Sequence, residues 1–195
     1  SGDTRLAAYV AGQHVIAGMY GVHAPAQTLA LADRALAITS APCAGRMHAL
    51  NAKARSLGLL GRTRHANAAL ATMEVTFEWL PGEVTHERIA SLGWAEERLH
   101  LARSFVGAFG GGTGGEVART EARRQYVEAD WRSRAQIELH RAAAAIDPQH
   151  AVATLASLSH AQRNDRFVRQ TAMRVLATCQ DRRAGGVAEL REALI

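Results

Sequence analysis

Aromatic side chains are scarce in this chain of 195 residues, at 5 %, although 48 % of it is apolar. A core of that composition cannot be filled by large rings, so its contacts must come from small side chains that let helices approach closely. Runs of β-branched residues are also few, while Ala, Leu, Arg and Glu, all strong helix formers, are abundant; this disfavours a sheet and predicts an all-α protein. Only two cysteines occur, Cys43 and Cys179, far apart and without CxxC spacing. That excludes a disulfide framework and predicts two reduced thiols in a cytoplasmic protein. With so few soft ligands, a zinc site is not expected. No apolar run approaches about 20 residues, which excludes a membrane-spanning helix, and no export signal heads the chain.

Lysine occurs once, at Lys53, so the net charge of +5 is carried by arginine. A basic surface attracts phosphate at long range. The Arg, Ala and Gly bias is equally the mark of GC-rich coding sequence, so charge alone decides little. Arg119, Arg123 and Arg124 form one set and Arg163, Arg166, Arg169 and Arg174 another. Neither has interleaved aromatics, and Glu116, Glu121 and Glu128 interrupt the first, so both read as solvated helix faces rather than a nucleic-acid surface.

Two stretches echo each other. Ala54-Arg55-Ser56-Leu57-Gly58-Leu59-Leu60-Gly61 precedes a helical segment with Ala66 and Leu70, and Ala102-Arg103-Ser104-Phe105-Val106-Gly107-Ala108-Phe109-Gly110 precedes one with Ala118 and Ala122. A small residue, an apolar one three on, a turn glycine and small residues facing back is the pattern of a stacked helical hairpin. The clearest hairpin runs from Ala44 to Leu60, turns at Gly61-Arg62-Thr63 and returns from Thr63 to about Glu78, fitting the tetratricopeptide consensus. Flanking it, helices are expected from Thr4 to Tyr20 and from Pro25 to about Ser40. Beyond it, they are expected from about Ser91 to Phe109, from Glu116 to about Ala129, on either side of a turn Asp147-Pro148-Gln149-His150, from about Ala161 to Thr178, and from Val187 to Leu194. A hairpin of this kind cannot bury its own apolar face, so the expected architecture is a tetratricopeptide-like right-handed α-solenoid of about ten helices, a single repeat domain over residues 1–195.

Reactive constellations are weak. Glu97 with His100 and Glu83 with His86 form two ExxH pairs, but Glu83 follows Pro81-Gly82 in a turn, so they cannot face each other at mid-helix as a two-metal carboxylate site requires. The run Gly110 to Gly115 lacks the strand, Lys and Ser or Thr of a phosphate loop and reads as a lengthened turn. Ser104 and Cys43 sit in no strand-turn-helix elbow; Ser104 is expected to bond back to a carbonyl one turn earlier. No catalytic residue, metal or cofactor is expected. The candidate surface is instead the concave wall lined by the first helix of each hairpin: Asn51 and Arg55, then Glu97, His100 and Arg103, then Gln136, Glu138 and His140. Some of these must face neighbouring helices, because a helix shows a groove only one side.

Leu59-Leu60-Gly61-Arg62, Trp94-Ala95-Glu96-Glu97-Arg98-Leu99, Ser104-Phe105-Val106, Ala135 to Ala142 and Val187 to Leu194, taken in succession, resemble the C-terminal repeat region of actinobacterial transcription regulators. In that family a helix-turn-helix of the Cro/repressor type precedes tetratricopeptide-like repeats. The resemblance covers most of the chain from about Gly12 onward, and it implies a regulatory sensor and oligomerisation domain. Such a domain is a homodimer that binds a peptide, small molecule or protein in its groove and touches DNA only through a domain not contained in this sequence. No helix-turn-helix signature opens the chain, and Ser1-Gly2-Asp3-Thr4 has no initiator Met, as expected of one domain of a longer protein. A free-standing adaptor that holds a partner protein is the alternative.

Overall fold

The computed structural model describes residues 2–21, 23–80, 95–110, 115–126 and 130–195. Among them every regular element is a helix. The chain divides into two compact units, Ser1–Ala102 and Arg103–Ile195. No helix among the described residues is long and apolar enough to cross a membrane.

Unit 1 is built around one central helix. Helices α1 (Gly2–Tyr20), α2 (Pro25–Leu36) and α4 (Thr63–Glu78) all pack against α3 (Ala44–Leu59). Its neighbours cover most of α3: twelve of its residues between Gly45 and Gly58 are buried, and a narrow strip with the half-buried Arg46 and Lys53 lines an open groove beside α2 and α4. That is why α3 is rich in Ala and Gly all round rather than striped. Proline starts α2, where a missing N–H costs nothing. The turn out of α3 is a Schellman motif. Gly61 adopts φ 72°, Arg62 N–H donates to Leu57 O at 2.8 Å, and Gly61 N–H to Gly58 O at 3.0 Å. The hairpin α3–α4 thus has the bounds expected from its sequence except that α3 ends at Leu59, one residue before the expected Leu60, and Ala54, Leu57, Ala66 and Met73 are all buried in it. Met47, Leu50, Met73 and Leu80 make a core with Ala95, Leu99 and Ala102, which lie on α5 (Ala95–Gly110). The expected N-cap Ser91 and the neighbouring Trp94 lie outside the described residues.

In unit 2, α7 (Trp131–Ala145) packs against α6 (Gly115–Gln125), α8 (Pro148–Ala156) and α10 (Arg166–Asp181). Leu139, Leu155, Val168, Ala172, Val175 and Leu190 form its core, the last from α11 (Val187–Glu192). Aspartates start three of these helices: Asp130 accepts from Ser133 N–H, Asp147 from Gln149 and His150 N–H, and Asp165 from Phe167 and Val168 N–H. Asp165 also corrects one expectation. The helix expected from Ala161 to Thr178 is two, a single turn α9 (His160–Arg163) and then α10, because the Asp165 carboxylate occupies the N–H groups that a continuous helix would direct to earlier carbonyls. The helix expected to reach Ser40 stops at Leu36. That expected to reach about Ala129 stops at Gln125, with residues 127–129 outside the described set.

Candidate functional site

Two of the expected groove residues, Asn51 and Arg55, belong to a polar seam inside unit 1. His48, Asn51 and Arg55 follow one another on α3 at spacings of three and four, so they share a face, and none is more than 1 % exposed. Tyr20, at the end of α1, receives two guanidinium groups on its hydroxyl: Arg55 Nη1 at 3.2 Å and Arg98 Nη1 at 2.9 Å. Both guanidinium carbons lie 5.9 Å from the ring centroid. That is within cation–π range. Gln13 meets His48 Nε2 at 3.2 Å. Burial first, and the Arg98 charge second, push the His48 pKa down to about 4, so the ring is neutral near pH 7.

Asn51 is the odd member. Its side chain is fully buried, and neither amide atom finds a hydrogen-bond partner among the described residues. An unbonded buried amide costs on the order of 1–3 kcal/mol. Asn51→Leu, close in volume, should therefore raise the unfolding free energy by about 1–2 kcal/mol in urea titrations. A lower stability would mean that the amide is bonded in solution.

Glu97 and His100 are half-buried on α5, with His100 Nε2 3.9 Å from the Glu96 carboxylate. The second ExxH pair, Glu83 and His86, lies outside the described residues. Among those described, no three His, Cys, Asp or Glu side chains gather as a metal site would need. Both cysteines are free and buried.

The remaining candidates belong to unit 2. Arg103 is half-buried. Gln136 is buried on α7 and its Oε1 accepts from the Thr171 hydroxyl at 2.9 Å. His140 is buried with its Nδ1 2.7 Å from Ser104 Oγ, and its ring stands edge-on to Phe105 and Phe109. Ser104 thus meets an imidazole, where a carbonyl one turn earlier was expected. Both members of this pair are 0 % exposed, so the contact joins α5 to α7 within the core. Asn51, Arg55, Gln136 and His140 therefore face other helices, whereas Glu138 reaches the surface.

Glu138 is the centre of an ion-pair network, contacted by Arg123, by Arg141 at 2.9 Å and by His150 Nε2 at 3.0 Å. It borders a cavity of about 430 Å³ whose wall also includes Trp131, Arg134, Thr154 and Ser157. The arginine sets read as solvated faces are more engaged than that: Arg119 is only 6 % exposed and paired with Glu116 at 2.9 Å, and Arg169 donates to Leu194 O at 2.7 Å.

A second open feature lies in unit 1, and none of its residues is among the sequence candidates. Leu6, Val10 and His14 on α1 face Leu31, Arg34 and Ile38 across a groove of about 690 Å³. Leu6 and Val10 are 63 % and 59 % exposed. The sequence carries the signal as a second apolar stripe. Ala8, Val15, Ile16 and Met19 of α1 are buried, while Leu6 and Val10, four apart, lie on another side. No protein-family model, curated protein or solved structure matches this chain.

Proposed function

We propose that this chain is a non-enzymatic binding module, the sensor and oligomerisation part of a transcription regulator of the kind its residues resemble, built as a tetratricopeptide-like solenoid. Its partner is an amphipathic helix with an acidic flank, which docks in the groove between α1 and α2. One observation carries this reading. Two large aliphatic side chains stand mostly in solvent on the groove, and the only polar side chains lining it among the described residues, His14 and Arg34, are both basic or neutral. An exposed apolar groove of this shape suits the helix-in-groove mode, in which side chains one turn apart insert together. The basic rim adds selectivity for acid over base more than it adds affinity.

Fluorescence anisotropy with two labelled helical peptides tests it. Both carry the same leucine face; one has glutamates beside it and the other lysines. The acidic peptide is expected to bind about tenfold more tightly, a difference of about 1.4 kcal/mol. Val10→Arg, at an exposed position, should abolish binding without changing the thermal melt. Binding that ignores peptide charge, or that survives Val10→Arg, would contradict the assignment. A dimer seen by native mass spectrometry and lost in Val10→Arg would give the groove to a second copy instead. A full reading frame without a helix-turn-helix would remove the regulator and leave the adaptor.

A further inference from the structure

The cavity beside Glu138 has a chemistry of its own. Arg134 lies half-buried on its wall, and its guanidinium makes no hydrogen bond or ion pair among the described residues. The nearby cation Arg123 is occupied by Glu138. Among the described residues the cavity therefore presents one free planar fork of N–H donors, the geometry that takes a carboxylate in two parallel bonds. The hydroxyls on the wall have the opposite polarity. Thr154 donates to His150 O at 2.8 Å and Ser157 to Thr154 O at 2.7 Å. Each hydroxyl thus keeps only lone pairs for a visitor. Glu138, held in place by three basic groups, likewise only accepts. Trp131, Ala135 and Leu158 supply the apolar part of the wall. At about 430 Å³ the space falls in the range of small-molecule sites, roughly 300–1,000 Å³.

A carboxylate for the fork, a donor for the lone pairs and an apolar body for the indole and leucine describe one kind of molecule. We propose that this cavity binds a free apolar or aromatic α-amino acid, its carboxylate on Arg134, its ammonium on the acceptors of Thr154, Ser157 and Glu138, and its side chain against Trp131 and Leu158. The network around Glu138 has a definite part in this. Arg123, Arg141 and His150 fix the carboxylate's orientation, so the acceptor is in place before the ligand arrives.

Isothermal titration calorimetry of the full chain with L-tryptophan and L-leucine tests the proposal, with tryptamine, indole-3-propionate and N-acetyl-L-tryptophan as comparators. At least one of the amino acids should bind. Loss of the carboxylate in tryptamine, or of the ammonium in the other two, should weaken binding about tenfold or more. Arg134→Gln should weaken the amino acid by a similar factor while leaving tryptamine and the thermal melt unchanged. Absence of heat with both amino acids at millimolar concentration would overturn the proposal. So would equal binding of indole-3-propionate, which makes the site a mere anion patch, or tighter binding of N-acetyl-L-tryptophan, which gives it to a peptide C-terminus. Val10→Arg serves as the control: it removes the groove of unit 1 and should leave this titration unaltered, so the two readings fail separately.

Discussion

Gly45→Ala is expected to destabilise unit 1 by about 3 kcal/mol, even though alanine is the better helix former. A Cβ at this position would lie 2.1 Å from Ala8 O, 2.2 Å from Ala8 C and 2.5 Å from Tyr9 N. All three are backbone atoms of α1, so no side chain can swing away. The contact is reciprocal, since a Cβ on Gly12 would come within 2.6 Å of Gly45 O. The two helices touch backbone to backbone at this crossing, and the added methyl must push them apart along a seam that also holds Gln13, Tyr20, His48 and Arg55. Helix propensity returns only about 1 kcal/mol. Gly185→Ala is the matched control, because nothing lies within 4 Å of its Cβ; it should fall within about 0.5 kcal/mol of the parent. Urea midpoints of the two variants measure the difference, and a Gly45→Ala value near that of the control would mean that α1 and α3 do not cross here.

The second large effect is a loss of stability in weak acid that passes through His48. In the unfolded chain an imidazole titrates near 6.5, whereas in the folded protein it is held down to about 4. The folded state therefore binds fewer protons between those values. His48 contributes its full stabilisation above about pH 6.5, and that contribution falls away as the pH drops toward 4. At roughly 1.4 kcal/mol per pH unit, the loss across the window is about 3 kcal/mol. Carboxylates elsewhere also titrate near the lower end, so the quantity to measure is the difference between the parent and His48→Gln. Glutamine keeps a polar group opposite Gln13 without an ionisation. The stability gap between the two proteins should narrow by about 3 kcal/mol from pH 7 to pH 4. A gap independent of pH would mean that the ring is solvated or charged in the folded state.

Much of the helix map is legible in the sequence because short-range chemistry decides it. The α3–α4 hairpin is bounded by a turn glycine that needs positive φ, and Pro25 opens a helix where its missing N–H is harmless; Pro148 does the same, although its sequence reads as part of a turn reaching His150. The break at Asn164 and Asp165 escapes a reading by periodicity because residues 162–166 are all polar and hold no apolar spacing for it to interrupt, and only the Asp165 cap reveals the stop. Which face each helix shows to solvent is less legible. Asn51 and Arg55 read as groove residues because a first repeat helix should have a free side, but the partly free side of α3 carries Arg46 and Lys53, while Asn51 and Arg55 are buried against the neighbouring helices. Such a fact belongs to the assembly of four helices, and no periodicity within sixteen residues contains it. Gly12 and Gly45 are a similar case. Each alone looks like a tolerated helix glycine; only their juxtaposition gives them a purpose. Glu138 stands among the sequence candidates, but its three basic partners and the cavity beside it come from α6, α7 and α8 together.

In the proposed function, the exposed stripe of α1 receives another helix. Hydrogen–deuterium exchange of the full chain, with and without the acidic helical peptide, tests it most directly. Slowed exchange is expected only at amides of α1 and α2, around Leu6, Val10 and Leu31, with α7 and α8 unchanged. Protection on other helices, or none at saturating peptide, would contradict it.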